Sequence, residues 1–251
     1  MRRLVLALLL VAPSARAADE PQAEAPPVAS AAPKPWLYLD DPTLPRAASA
    51  FTRVTYTQSH AAPFAADVAR PGAVLEAGAE ASLLPWLSVV ATGAGAGDAF
   101  GGSGGLRVSL LPREASTHLV VAAGGARELS GDAAAWGRIA FGQDIGRARV
   151  GAMVHGEHAF GSSRDALDVT VSAGASAAIV GPLRAGVEWV GQDLEGAVDR
   201  DEAEGGMRHF AGPTAAVELL GKRLTIGAGP AFGLSHNAPP IVVRGQAAYA
   251  F

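Results

Sequence analysis

The chain has 251 residues with no cysteine, 31 glycines, 18 % charged residues, 6 % aromatics and a formal net charge of −4, at a mean hydropathy of +0.21. The missing cysteines exclude a disulfide framework, a lipid-modified cysteine and thiolate chemistry. Soluble domains average about 25 % charge, so this composition fits a packed α/β core poorly, and the acidic balance argues against a nucleic-acid partner.

In chain order, the first element is a targeting segment. Arg2 and Arg3 precede the apolar run Leu4 to Ala12, followed by Pro13-Ser14-Ala15-Arg16-Ala17. A basic start, a short apolar stretch and an A-x-A site predict a signal peptide over 1–17, cleaved after Ala17. The run is about half the ~20 residues a spanning helix needs. Loss of Arg2, Arg3 and Arg16 takes the net charge from −4 to about −7.

Residues 18–47 read as a Pro/Ala-rich, disordered periplasmic leader, carrying Pro21, Pro26, Pro27, Pro33, Pro35, Pro42 and Pro45. Its one hydrophobic island, Trp36-Leu37-Tyr38-Leu39, is expected to make a local contact at a barrel rim. The sharper alternative is that it plugs a lumen or binds a periplasmic partner.

From about residue 48 to 251, short turn-like clusters alternate with longer polar stretches. The turns fall at Leu84-Pro85-Trp86, Leu111 to Glu114, Ile145-Gly146-Arg147, Gly181-Pro182 and Gly221-Lys222-Arg223. The longer loops are His60 to Pro71, Gly97 to Ser103, Glu128 to Ala134, Gly161 to Asp165, Glu195 to Arg208 and Ser235 to Pro240. Between them the residues alternate: Leu75, Ala77, Ala79, Ala81 and Leu83 oppose Glu76, Gly78, Glu80 and Ser82. Leu167 to Ile179, Leu183 to Gly191 and Arg223 to Phe232 behave in the same way. A period of two over ten or so residues is that of a tilted membrane strand. The fold class predicted is all-β, a closed antiparallel transmembrane β-barrel of about twelve strands. Ten would result if either of the less regular segments, 51–60 or 104–111, fails to pair. A soluble periplasmic β-sandwich is the rival.

On this assignment the lumen collects Glu76, Glu80, Arg107, Arg149, His155, Glu157, Asp168, Arg184, Glu188, Glu218, Arg223, Arg244 and Gln246. Two readings stay open: a cross-linked, mostly closed interior, or a narrow hydrated pore with charge-tuned selectivity. Trp86, Tyr249 and Phe251 on the periplasmic side, and Phe100, Trp136, Phe160 and Phe232 near the outer loops, are expected in interfacial girdles. His155 and Glu157 share a face while His158 points away, which leaves too few ligands for zinc. The acidic loop Glu195 to Glu204 lacks calcium-loop spacing and reads as solvated. The run Gly101 to Gly105 is not followed by the Lys-Ser/Thr of a phosphate loop and is expected at a loop tip. A membrane-embedded hydrolase would need His118 or His158, read as outward, beside a serine. No catalytic, metal or cofactor site is assigned.

The last segment, Ile241 to Phe251, places Ile241, Val243, Ala247, Tyr249 and Phe251 on one face and Arg244 and Gln246 on the other. Ending on an aromatic, it resembles the final strand of bacterial outer-membrane β-barrels. The resemblance implies an outer-membrane location, a lipid environment, and recognition of Tyr249 and Phe251 by the barrel-assembly machinery. The function expected is a narrow porin-like channel for ions or small solutes. The alternative is a non-conducting structural or adhesive barrel acting through its extracellular loops.

Overall fold

The computed structural model describes residues 36–57, 72–161, 167–197 and 206–251. The expected signal peptide, the leader up to residue 35, and the outer-loop stretches 58–71, 162–166 and 198–205 lie outside these described residues. The strands are β1 Ala48–Thr57, β2 Gly72–Leu84, β3 Leu87–Ala96, β4 Ala99–Ser109, β5 Thr117–Arg127 and β6 Ala133–Ile145. They continue with β7 Ala148–Ala159, β8 Asp168–Val180, β9 Leu183–Gln192, β10 Arg208–Leu219, β11 Leu224–Gly233 and β12 Ile241–Ala250. Each pairs antiparallel with its sequence neighbours, and β1 closes on β12, from Ser49 opposite Ala250 to Thr57 opposite Val242. The two least regular segments pair as β1 and β4, so the barrel has twelve strands. Closure gives every strand two partners, which is what a sheet crossing a bilayer requires.

The period of two decides which face meets lipid. On β2, Val74, Glu76 and Glu80 turn inward while Leu75 and Leu83 stand outward, Leu75 at 61 % exposure. Val54, Ile139, Val154, Val187, Ile226 and Val243 are likewise exposed on the outer wall. A soluble sandwich buries such side chains between two sheets. Here they face out of a single closed sheet, as in an outer-membrane barrel, and the sandwich is excluded. No helix among the described residues is long and apolar enough to cross a membrane.

The tight hairpins at one end need backbone that most residues avoid. Gly146 (φ 58) and Gly181 (φ 52) occupy two-residue connections, where a left-handed residue matches the twist of the flanking strands.

Two expectations are corrected in this wall. Gly97 to Ser103 is not a long loop: Gly97 and Asp98 alone turn the chain, and the glycine run belongs to β4. Glycine weakens a strand by propensity, but here it makes room. A Cβ on Gly105 would stand 2.5 Å from Trp136 Cζ2, and one on Gly124 2.7 Å from the same atom. Trp136, expected in the outer girdle, points into the lumen instead, and its indole N–H donates to the Gly125 carbonyl at 3.2 Å.

Candidate functional site

The interior of the barrel is occupied by the segment 36–47, which precedes β1 and is exposed only at Arg46 and Ala47. The hydrophobic island does not rest on the rim. Trp36, Leu37, Tyr38 and Leu39 are all buried. Leu37 and Tyr38 cluster with Val190, Phe210, Ala231 and Val242, and Trp36 and Leu39 with Ala140 and Met153. The partners are inward positions of β6, β7, β9, β10, β11 and β12, so the segment is gripped from around much of the barrel.

The wall opposite this segment is built from glycine. A Cβ on Gly174 would lie 2.8 Å from Trp36, on Gly229 3.1 Å from Leu37, on Gly151 3.3 Å from Leu39, and on Gly142 2.6 Å from Pro42. Side chains at these inward positions would fill the space the segment takes.

Polar contacts hold the backbone of the segment. The Glu188 carboxylate accepts the Leu37 N–H at 2.9 Å and the Tyr38 N–H at 2.7 Å. Arg244 donates to the Leu37 carbonyl at 2.6 Å and to Thr55 Oγ1 at 3.0 Å. Hydrogen bonds to charged groups in a dry interior are stronger than neutral ones, and removing either partner strands a buried charge.

Two consecutive aspartates then meet arginines. Asp40 pairs with Arg138 of β6 and with Arg53 of β1 at 3.8 Å. Asp41 pairs with Arg149 at 3.1 Å, and its carbonyl accepts from Arg107. Arg149 also donates to Thr43 Oγ1 at 2.7 Å and pairs with Asp144 at 3.1 Å. β1 and β6 are five strands apart in the sheet order, so Asp40 ties distant parts of the wall through the middle of the bore.

Of the lumen residues named from the sequence, Glu76, Arg244 and Gln246 gather around Arg53. Glu76 lies 3.2 Å from Arg53 and 3.6 Å from Arg244, while Arg53 Nε donates to Gln246 at 3.2 Å. Glu80 pairs with Arg107 and accepts from Ser88. Arg184 sits 3.9 Å from Glu218. His155 lies 3.5 Å from Glu157, with His158 outside, stacked edge-on against Phe160.

Asp168 is placed at the outer end of β8, where its carboxylate joins those of Asp193 and Glu195 within 4.8 Å. Burial, helped by those two neighbouring carboxylates, pushes the Glu195 carboxyl up despite a hydrogen bond from the Val169 N–H. The rest of that acidic loop, 198–205, lies outside the described residues.

Arg223 departs from its expected place: it is exposed in the β10–β11 turn, with its guanidinium 5.8 Å from the Tyr249 ring centre. His118 departs too. It is buried inside, 3.5 Å from Asp144, so it is not the outward base that a lipid hydrolase would use.

Sequence reasoning missed Arg53 and Arg138, the cationic partners of Asp40. The signal was present for Arg53, since Phe51, Arg53, Thr55 and Thr57 share one parity against Val54 and Tyr56. Arg138 shares parity with Trp136, and reading that tryptophan as lipid-facing hides it.

No protein-family model matches the chain, and no curated protein does either. Among solved structures, the barrel is similar to the KdgM porin in complex with disordered oligogalacturonate. That match has a TM-score of 0.59 at 6 % identity and covers 81 % of this chain and 99 % of that one. It is also similar to the NanC porin, with a TM-score of 0.56 at 7 % identity, covering 80 % of this chain and all of that one. At such identities the likeness is one of fold, a β-barrel.

Proposed function

We propose that the protein is a non-enzymatic, porin-like channel for small solutes, held closed by its own residues 36–47. One observation carries this reading. The lumen is filled largely by a segment outside the sheet, facing a wall trimmed to glycine at Gly142, Gly151, Gly174 and Gly229. A barrel closed for structural reasons alone can fill its lumen with wall side chains. A barrel that empties its lumen needs a narrow wall profile and a separate stopper. The fold shared with two porins supports the same reading.

A lock built on the stopper tests it. The Cβ position of Gly142 lies 2.6 Å from Pro42 Cγ, which brings the pair within disulfide reach, and the chain has no other cysteine to interfere. Full-length Pro42→Cys/Gly142→Cys protein in planar bilayers is expected to stay silent when oxidised and to show channel openings when reduced. The alternative, a non-conducting barrel acting through its loops, requires silence in both states.

The aromatic pair at the end of β12 fits a role in assembly. Tyr249 and Phe251 meet edge to face at 5.0 Å, with Phe251 exposed beyond the strand. We assign this pair to recognition by the barrel-assembly machinery. Phe251→Ser is expected to lower the folded, heat-modifiable fraction on gels about tenfold, the equivalent of ~1.4 kcal/mol. Wild-type yield of folded barrel would remove the role.

A further inference from the structure

Asp40 and Asp41 are the acidic end of the stopper, and both are received by guanidinium groups of the wall. For Arg138 the dependence is strong: among the described residues its one ion pair is with Asp40, and its other polar contact is with His155 Nδ1 at 3.4 Å. Arg53 keeps Glu76 when the segment leaves, and Arg149 keeps Asp144. Arg138 keeps only the longer-range attraction of Glu157 on the neighbouring strand. Withdrawal of the segment therefore strips its one ion pair among the described residues and leaves its guanidinium facing Arg53 across the gap that Asp40 bridged. Such a charge is costly unless water or an anion replaces its partner.

We infer that Arg53, Arg138 and Arg149 form a carboxylate-binding subsite which Asp40 and Asp41 occupy in the closed state, and that small dicarboxylates compete for it. Arginine suits the task, because its planar donors match a carboxylate edge. Two acidic groups on adjacent residues define a dianion as the ligand, whereas a monoanion replaces only one of them. The segment is then an internal stand-in for the solute. A dicarboxylate that binds the wall only when the segment is out shifts the barrel toward its open state by mass action. The inference rests on the channel reading for its consequence in transport, while the subsite itself has an independent signature. Trp36 is buried against Gly174 and moves toward water when the segment leaves.

Two readouts on the full-length protein test this. In planar bilayers, succinate is expected to raise the open probability about tenfold over acetate at equal ionic strength, within the usual range of coupling between two ligands. In detergent, succinate is expected to shift Trp36 emission to the red, seen as the difference between wild type and Trp36→Phe. Asp40→Asn weakens the internal competitor and is expected to lower the half-effective succinate concentration about tenfold. Arg138→Gln also loosens the segment, yet it is expected to abolish the response to succinate. Arg184→Gln, whose partners are Ser176 and Glu218, is expected to respond as wild type.

Acetate acting as strongly as succinate, or Arg138→Gln retaining the response, overturns the subsite. Absence of any succinate-dependent Trp36 shift does so as well. A Trp36 shift without conductance in any variant sinks the channel reading and leaves the subsite standing.

Discussion

Leu37→Ala is expected to turn a mostly closed barrel into one that opens about a hundred times more often. Leu37 is fully buried, packs against Val190, Phe210 and Val242, and lies against the wall glycines Gly227 and Gly229. Truncating a buried leucine costs about 2–5 kcal/mol. Every ~1.4 kcal/mol is tenfold in a population, so ~3 kcal/mol is about a hundredfold.

The substitution leaves the sheet untouched, since Leu37 belongs to none of the paired strands. The barrel should therefore keep its heat-modifiable migration while its channel openings multiply. Single-channel recording of the two proteins at matched insertion density measures the effect. An unchanged opening frequency would show that segment 36–47 is not what closes the bore.

Gly212→Val is expected to abolish assembly. A Cβ at Gly212 would lie 1.8 Å from the Pro230 carbonyl oxygen, and one at Gly229 2.4 Å from the Pro213 oxygen. At this seam the paired register of β10 and β11 runs from Ala211 opposite Phe232 to Ala215 opposite Ala228, with no pairs between. Proline supplies no N–H to a ladder, so Pro213 and Pro230 leave a gap there, and the backbones pinch together around glycine.

The clashing atom is backbone and cannot rotate away as a side chain would. Moving it means shifting β11, which is paired with β12 along its length. The expected cost is roughly 4 kcal/mol or more, in the exceptional tail for one substitution. Gly137→Val supplies the contrast, since a Cβ there meets nothing within 4 Å. The Gly137 variant should fold to wild-type yield in detergent while the Gly212 variant stays unfolded on unheated gels. Equal yields would refute the pinch.

The strand pattern was open to reading from the residues wherever one face is polar. β2, β9 and β12 alternate charged and apolar residues, and Glu76, Arg184, Glu188, Arg244 and Gln246 fall inside as that alternation requires. Where both faces are apolar or small, parity carries no information. β5 runs Leu119-Val120-Val121-Ala122-Ala123, so the facing of His118 is set only by its pairing with Gly142 of β6. β4 has glycine at four of its eleven positions and imitates a loop until Trp136 is seen lying over it. Arg223 has the inward parity of Thr225 but stands beyond the last paired residue of its strand, where alternation no longer applies.

By itself the sequence determined that the chain is built of strands with the period of a membrane sheet, and which face of most of them is apolar, while closure is seen in the pairing of β1 with β12. Alternation is a local property, legible within ten residues. What fills the lumen was decided only by the tertiary structure. Leu37 reaches Glu188 across 151 positions and Arg244 across 207, and the glycines that admit the segment are scattered over β6, β7, β8 and β11. Contacts of that separation leave no periodic trace in the chain. The stopper therefore read as a proline-rich leader with its hydrophobic island at the rim, and a plugged lumen only as the alternative, until the closed barrel brought both ends of each contact together.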